Sequence, residues 1–450
     1  MRRKKQIPLG PVIQLSHKIT LIPAEDQIFY FGKACGTARF TWNWALTEWN
    51  RQFDSGLKPN AYTLKKEFNA IKYQQYPWLD EIHRDAHAEP FNNLGRAWAT
   101  FFKSCREGRA AHAPVFKKKG KCRDSFYVAN DKFKVNGKVI TLPIVGNVLM
   151  REELRFQGKI TGATVSRSVH HWFVAIQVEI PEHSAKRKRN ADGIEGVDLG
   201  ITSAATLSTG EKFHAPKPLE GLLRRLKIRS RSLSRKLEAA KIKAGIRRGC
   251  KVTKGTRLPV SSNRKKASDI LARLHYRVAN VRKDFLHKTT TRICRENQAV
   301  GIESLNVADM LKNERLARAI SDIGMGEFAR QMKYKVKLFD TRLTEADRWF
   351  PSSKKCCFCG FVYRGLKLSD RVWTCSNCGI AHDRDINAAE NLKQLATVTT
   401  ALPLASIPVM GSTDASQVLS GGKVTPVSYD SVCKKNQGRK KNVHVYAHSE

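Results

Sequence analysis

Four cysteines near the end of the chain restrict its local fold more than any other feature of the sequence. Cys356 and Cys359 form one C-x-x-C pair, and fifteen residues later Cys375 and Cys378 form a second. This spacing is typical of a zinc ribbon, in which each pair lies on a tight turn and four thiolates close a tetrahedral site. Because the protein would fill all four positions, we expect a structural Zn²⁺ ion, with the adjacent Cys357 left out.

The other cysteines do not indicate a disulfide framework. The chain has 11 cysteines, and the seven outside the cluster are scattered. An odd total leaves at least one thiol unpaired, so a metal site plus free thiols is the better interpretation.

The charge of the chain indicates a polyanionic partner. Lys and Arg number 81 against 40 Asp and Glu, which gives a formal net charge of +41. Phosphate backbones neutralise such a field and release counterions in doing so, which favours nucleic acid over an anionic membrane. No run of about 20 apolar residues predicts a membrane span, and Met1–Lys5 precedes no signal-peptide core. We therefore expect a cytoplasmic protein that does not bind membranes.

The first 190 residues combine strand and helix patterns. A strand is predicted from Val12 to Pro23, and helices from Gln27 to Phe53 and from Asp85 to Cys105, whose aromatic residues mostly belong to a core. From Ser125 to Pro181 the pattern is that of short strands separated by turns. This order predicts a small β-barrel interrupted by a helical insertion, followed by the charged linker Lys186–Asn190.

Two later segments predict a basic helical hairpin. Glu220 to Arg248 contains eleven Lys or Arg and two acids, and Ser268 to Arg295 has apolar residues at helical spacing. Such a charge run is often a solvated face, but its self-repulsion favours contact with a nucleic-acid backbone. The loop before the β segment is also basic. The candidate contacts are Lys117, Lys118, Lys119, Arg224, Arg225, Arg231 and Arg235.

Three acids stand where strands and a helix are predicted to end or begin. Asp198 and Glu303 each lie in a short apolar run that contains glycine, which indicates a buried strand approached closely by backbone or ligand. Asp385 follows the ribbon at the start of a helix that Asp383 can cap. Singly, such acids are more often turn or salt-bridge residues. Two strand acids plus one helix-start acid are typical of RNase H-like nucleases, which hold two Mg²⁺ or Mn²⁺ ions.

Several runs of sequence resemble the TnpB (OrfB) family of transposon-encoded proteins, relatives of the type V CRISPR effectors. The most specific are Arg348–Cys356 and Cys378–Ala389, and the resemblance covers roughly residues 12 to 395. It implies an α+β multidomain protein with an N-terminal β-barrel (wedge), a helical recognition insertion and an RNase H-like (RuvC) α/β domain with an inserted zinc ribbon. The implied ranges are 1–40 and 112–190 for the wedge, 41–111 for recognition, 191–350 and 380–396 for RuvC, 351–379 for the ribbon and 397–450 for a poorly ordered tail.

The resemblance also implies an activity. Proteins of this family bind a transposon-derived guide RNA, recognise a short adjacent motif in double-stranded DNA, form an R-loop and cut with a metal-dependent site. The family's three acids fall on Asp198, Glu303 and Asp385. Tyr62 to Leu94 and Ser125 to Asn130 are the segments we expect to read the adjacent motif. A monomer in a prokaryotic cell, associated with the nucleoid, is the expected context.

Three other interpretations stay open. A nuclease-inactive, RNA-guided DNA-binding repressor would have a broken acid triad, which this sequence does not show. A zinc-ribbon RNA-binding protein would cut no DNA in Mg²⁺. A DNA transposase would use the same carboxylate chemistry and would also join DNA ends.

Overall fold

The computed structural model describes residues 11–253, 256, 258–367 and 369–401 of the chain. The chain divides into two compact units, with a boundary between Glu182 and His183. Each unit contains a sheet and helices. The predicted α+β multidomain fold class is therefore confirmed.

In the first unit, three long helices are inserted between the first two strands of an antiparallel sheet. The described strands pair in the order β2-β6-β7-β1-β5-β4-β3, so β2 and β3 are the sheet edges. The helical insertion into a β domain agrees with the sequence analysis, whereas these pairings do not show closure into a barrel. The elements are β1 (Val12–Ile22), α1 (Glu25–Asp54), α2 (Ala61–Gln75), α3 (Arg84–Arg106), β2 (Ser125–Ala129), β3 (Lys134–Asn136), β4 (Val139–Leu142), β5 (Gly146–Met150), β6 (Lys159–Ser168) and β7 (His171–Pro181).

Helix α1 begins two residues earlier than its apolar pattern predicts. The side chain of Gln27 accepts a hydrogen bond from the backbone N–H of Ala24, which has extended backbone angles, so the helix begins at Glu25. The half of a capping box that Gln27 provides is sufficient to start the helix there. The predicted wedge boundary at residue 40 consequently falls inside one continuous helix.

Most of the aromatic residues of the insertion form a core, as the sequence analysis predicted. Trp49 of α1 stacks on Trp98 of α3 with ring centroids 5.3 Å apart. The buried residues of this cluster are Trp42, Ala45, Leu46, Trp49, Leu64, Phe68, Leu79, Phe91, Leu94, Trp98 and Phe101. Burying this many large side chains removes enough apolar area from water to hold the three helices together.

The second unit contains a mixed sheet with the order β10-β9-β8-β11-β12. Strands β8, β11 and β12 are parallel, whereas β9 is antiparallel to β8 and β10 to β9. Its elements are α4 (Glu182–Ala185, which begins one residue before the boundary), β8 (Gly193–Asp198), β9 (Ala205–Leu207), β10 (Lys212–Phe213), α5 (Pro218–Lys243), α6 (Ser262–Glu296), β11 (Asn297–Glu303), α7 (Val307–Met310), α8 (Ala317–Ile323), α9 (Met325–Phe339), β12 (Arg342–Ala346), β13 (Val372–Thr374), β14 (Ala381–Asp383) and α10 (Arg384–Ala401).

The predicted basic hairpin is present as α5 and α6. Leu226 packs with Leu274 and Val278 to form the contact between the two helices. Helix α5 ends at Lys243 rather than at Arg248, because Gly245 follows with a left-handed φ of 74°. Ser261 caps α6 by accepting from the N–H of Arg264, which moves its start to Ser262 rather than residue 268.

Two predicted domain boundaries differ from the structure. Residues 183–190, expected to end the wedge, belong to the second unit, where the N–H of Arg187 donates to Leu338 and that of Asn190 to Arg295. The predicted tail begins at residue 397, but α10 continues to Ala401. Residues 402–450 lie outside the described chain. No helix in the described ranges is long and apolar enough to cross a membrane.

Candidate active site and metal centre

Two of the predicted acids lie at the same edge of the second sheet. Asp198 is the last residue of β8, and Glu303 is the last residue of β11. The strands are parallel neighbours, with Val197 opposite Ile302. Neighbouring parallel strands end at the same edge of a sheet. Asp198 and Glu303 directly follow the paired residues Val197 and Ile302, so their carboxylates lie side by side at that edge.

Helix α10 lies directly on the face of the sheet that carries these acids. Gly196 and Gly301 are opposite each other in the register, each two residues before an acid and therefore on the same face. A Cβ at Gly196 would overlap the backbone oxygen of Ala389, and a Cβ at Gly301 would overlap that of Leu392. The two glycines thus allow the helix backbone to contact the strands.

The third acid occupies the first turn of that helix. Asp385 lies four residues, about one helical turn, before Ala389, and its charge is near enough to Asp198 to raise the pKa of that carboxyl. Asp383 accepts from the N–H groups of Asp385 and Ile386 at 2.9 and 3.1 Å, which confirms the predicted cap. The structure therefore brings the three predicted acids to one place.

The pKa values of Asp198 and Glu303 are both raised. Burial raises the pKa of Asp198 well above its usual value, and the negative charges of Glu303 and Asp385 raise it further. Burial also raises the pKa of Glu303, although a hydrogen bond from Ser352 opposes the shift. Carboxylates that repel each other in a partly dry position are a candidate cation site.

A buried polar network missed by the sequence analysis holds the loop after β12 against α10. Ser352 is 5% exposed and donates its hydroxyl hydrogen to Glu303. Its carbonyl accepts from the side chain of Asn391 at 2.8 Å, and Asn387 donates to Lys355 O at 2.8 Å. Ser352, Lys355 and Asn387 lie within the runs that carry the family resemblance, which was the available signal, and Asn391 lies two positions beyond them.

The four predicted zinc cysteines form a compact cluster. Among the described residues, theirs is the one set of three or more Cys, His, Asp or Glu side chains whose ligand atoms all lie within 4.8 Å of each other. The Sγ atoms of Cys356 and Cys378 are 3.7 Å apart, and those of Cys359 and Cys375 are 3.6 Å apart. A tetrahedral ion with Zn–S bonds of about 2.3 Å requires sulfur separations of roughly 3.8 Å, so the geometry fits a metal ion.

The two C-x-x-C turns have the same geometry. The N–H of Gly360 donates to Cys356 O, and the N–H of Gly379 donates to Cys375 O, each at 2.9 Å. Both glycines have left-handed φ values, 76° and 72°. Cys357 lies outside the cluster, as predicted, with its Sγ 3.9 Å from His382 Nδ1.

We expect Cys375→Ser to release the bound metal and loosen the ribbon, because a serine hydroxyl is a poor replacement for a thiolate ligand. The zinc content per chain after gel filtration measures the effect. We expect it to fall from about one zinc ion per chain to near zero. Cys357→Ser is the matched control and should retain the ion. Equal metal content in Cys375→Ser and the unaltered protein would contradict this assignment.

The candidate nucleic-acid residues differ in exposure. Arg224, Arg225, Arg231 and Arg235 are exposed on α5, and Lys118 and Lys119 are exposed on their loop. Lys117 is different, because its Nζ lies 3.7 Å from the centroid of the Trp42 ring and burial lowers its pKa. The ammonium group of Lys117 is therefore less accessible to a ligand than those of Lys118 and Lys119.

The two segments predicted to read an adjacent motif are joined in the first unit. Asp85 of α3 accepts from the N–H of Ala129 at the end of β2 at 2.8 Å. A cavity of about 380 Å³ lies next to this junction. Polar and charged groups dominate its lining, among them Arg39, Glu89, Asn93, Arg96, Arg123 and Tyr127.

Comparison with known proteins identifies the family. The OrfB family model, described as "Probable transposase", matches residues 175–314, and one described as "Cas12f1-like, TNB domain" matches residues 326–392. A Streptomyces pristinaespiralis protein named "Putative RNA-guided DNA endonuclease" is 34% identical, over 84% of this chain and 89% of its own length. The chain belongs to the TnpB (OrfB) family. A similarly named Mycobacterium tuberculosis protein is 29% identical, over 87% of this chain and 88% of its own.

Two further likenesses carry less weight. A family model described as "Helix-turn-helix domain" matches residues 13–58, but the structure has strand β1 and the single long helix α1 over that range. A solved structure of CasPhi-2 (Cas12j) bound to crRNA aligns with 86% of this chain and 98% of its own at 12% identity. Its TM-score of 0.41 is too low to support any argument about this chain.

Proposed function

We propose that this chain is an RNA-guided DNA endonuclease. It would bind a transposon-derived guide RNA, recognise a short motif beside the target, open the duplex as an R-loop and hydrolyse a phosphodiester bond. Support comes from the relative that is 34% identical over most of both chains and is named for this activity. The formal net charge of +41 is consistent with holding RNA and DNA together.

The observation that carries the nuclease assignment is the meeting of three acids distant in sequence. Asp198 and Glu303 end neighbouring parallel strands, and Asp385 begins the helix that lies across both strands. We assign all three as the catalytic acids of a RuvC-like site. Sites of this kind hold two divalent ions roughly 3.5 to 4 Å apart.

The residues fit Mg²⁺ or Mn²⁺, because hard oxygen ligands favour those ions over zinc. When bound, the ions prepare the attacking water and stabilise the leaving oxygen. Ser352 donates a hydrogen bond to one carboxylate oxygen of Glu303 and so restrains it. The other oxygen of Glu303 would be available to bind a cation. Burial and the negative charges of the neighbouring acids raise the pKa of Asp198. Those same negative charges attract cations when the carboxylates are ionised.

The remaining parts of the chain have proposed roles. We assign residues 1–40 and 112–190 to a wedge domain, 41–111 to a recognition domain, 191–350 and 380–396 to the RuvC-like domain and 351–379 to the ribbon. Two of these boundaries differ from the limits of the structural elements. Residue 40 lies inside helix α1, and residues 183–190 belong to the second compact unit. The ribbon would bind Zn²⁺ through its four thiolates, and Tyr62 to Leu94 with Ser125 to Asn130 would read the adjacent motif.

Helix α5 is our candidate for contact with the phosphate backbone of the guide. Replacing Arg231 and Arg235 together with Gln should weaken guide binding and reduce the slope of log affinity against log salt by about 1.4 to 1.8, since each phosphate contact contributes about 0.7 to 0.9. A filter-binding titration at several salt concentrations measures this slope.

A matched control removes two positive charges that already have partners. Lys288 is 2.7 Å from Asp284 and Lys333 is 2.8 Å from Glu345, so replacing both lysines with Gln should change the slope less. If the arginine variant kept the slope of the unaltered chain, α5 would not be a backbone contact.

The proposed function is tested by isolating the protein with RNA from its native locus. The complex is given a plasmid library with a guide-matched target beside random flanking bases. Cutting that needs both the guide and Mg²⁺ would support an endonuclease, and the cut plasmids would reveal the motif. Guide-dependent binding without cutting would favour the repressor alternative, and joined ends would favour a transposase. Absence of guide-dependent DNA binding would leave an RNA-binding protein.

A further inference from the structure

The loop between β12 and the ribbon presents one aromatic side chain that the proposed chemistry has not used. Trp349 is 82% exposed. Tryptophan is usually well buried, although single exposed apolar residues need no special explanation. What distinguishes Trp349 is how firmly its surroundings hold it and how near it is to the acids.

Two contacts fix the backbone at Trp349. Its N–H donates to Asp347 Oδ1 at 2.8 Å, and the next N–H, that of Phe350, donates to Asp347 O at 3.0 Å. The turn therefore holds the backbone that carries the indole, which lowers the entropic cost of ordering this segment on binding. An exposed aromatic ring on an ordered turn is suited to binding another flat group.

A cation covers part of the indole. The Arg348 guanidinium carbon lies 5.3 Å from the centroid of the Trp349 ring, within the range of a cation–π contact. Arg348 is itself held 3.7 Å from a carboxylate oxygen of Asp309 on α7. The pair joins a flat apolar surface to a positive charge, which matches a nucleobase attached to a phosphate.

This pair is tied to the catalytic strand by two routes. Ser352, which donates to Glu303, follows Trp349 by three residues, a span of at most about 11 Å. Asp309, which holds Arg348, follows Glu303 by six residues. Bases in a stacked strand repeat about every 3.4 Å, so this backbone span corresponds to about three nucleotides.

We propose that Trp349, with Arg348 beside it, stacks on one unpaired nucleobase of the DNA strand being cut and so holds the scissile phosphate at the acids. This inference rests on the proposed function and adds a substrate-binding residue to it. An unpaired strand is the required occupant, because a base within a duplex has its faces covered by its neighbours. The stacking is sequence-tolerant, since every base has a flat face.

The test joins a change in the protein to a change in the DNA. The complex is assembled on its target without divalent ions, and cutting is started with Mg²⁺, which separates cutting from R-loop formation. Target strands carry one abasic nucleotide at successive positions around the mapped cut. In the unaltered protein, one position should slow cutting by roughly 5- to 150-fold, the range for loss of one base–aromatic stack.

Trp349→Ala should be slower by a similar factor on intact DNA, and the abasic nucleotide at that same position should then have little further effect. Trp349→Phe should recover most of the rate. Phe29→Ala is the matched control, because Phe29 on α1 is also exposed, at 67%, with Lys33 Nζ 5.1 Å from its ring centroid. It should keep the position-specific sensitivity to the abasic nucleotide.

Several results would overturn the inference. These are an unchanged rate in Trp349→Ala, an undiminished abasic effect in that variant, or an equal loss in Trp349→Phe without sensitivity at one position. A change of oligomeric state in Trp349→Ala would assign the indole to a second copy of the chain and overturn it as well. If the unaltered complex cuts nothing with guide and Mg²⁺, the proposed function itself fails; if it cuts and Trp349→Ala cuts equally well, only the stacking fails.

Discussion

Asp198→Asn is expected to abolish Mg²⁺-dependent cutting while guide and target binding persist. The amide keeps the size of the side chain but removes a charged oxygen ligand from the proposed cation site. Loss of one catalytic group costs roughly 10³-fold or more in rate. Single-turnover cutting of a prebound target measures this loss, and an affinity titration without divalent ions checks the binding.

The same variant should be no less stable than the unaltered chain in the absence of divalent ions. Burial and, after it, the neighbouring acids raise the pKa of Asp198, so its ionised form is unfavourable until a cation binds. Removing the charge relieves that repulsion. Asp192→Asn is a matched control on an exposed residue shortly before β8 and should cut normally. Cutting by Asp198→Asn within tenfold of the normal rate would remove Asp198 from the site.

Gly196→Ala is expected to displace helix α10 from the strands and to move Asp385 with it. The added methyl would overlap the backbone oxygen of Ala389, and backbone atoms cannot rotate away as a side chain can. Overpacking of this kind destabilises by about 1 to 3 kcal/mol, and more where the backbone itself must move. A shift of about 1 Å in a catalytic group lowers the rate by around 10²-fold. Thermal unfolding and single-turnover cutting are the two measurements.

Gly221→Ala provides the matched control in the same unit. Gly221 lies in α5 with no heavy atom within 4 Å of an added Cβ. Alanine favours the helix by up to about 1 kcal/mol over glycine, so this variant should unfold at the same or a slightly higher temperature. A Gly196→Ala protein with unchanged unfolding temperature and unchanged cutting would mean that α10 does not depend on this close contact.

The metal cluster could be predicted from the sequence because its ligands lie within 23 positions, from Cys356 to Cys378. Local spacing alone sets the geometry of each turn, and Gly360 and Gly379 follow the second cysteine of each pair. The acids were different. Each was weak evidence by itself. The order of two strand acids and one helix-start acid suggested a shared site, and the family resemblance supported it, but their proximity depends on the pairing of β8 with β11 and on the packing of α10.

Features set by tertiary contact were beyond the sequence patterns. The approach of α10 to Gly196 and Gly301 requires knowing which helix covers which strands. Lys117 was predicted as a nucleic-acid contact, and no sequence pattern indicated that Trp42, far away in sequence, lies under its ammonium group. Helix ends moved by a few residues for local reasons, such as the Gln27 cap and the left-handed turn after α5.

The order of the three acids along the chain affects when the proposed site is complete during synthesis. Asp198 and Glu303 reach their sheet edge with β8 and β11, but Asp385 arrives 187 residues after Asp198 (385 − 198), beyond the ribbon. Protein chains are made from the N-terminus at about 5 to 20 residues per second. A nascent or prematurely terminated chain that lacks Asp385 lacks one of the three proposed catalytic acids, so such truncated products are expected to bind nucleic acid without cutting the genome that encodes them.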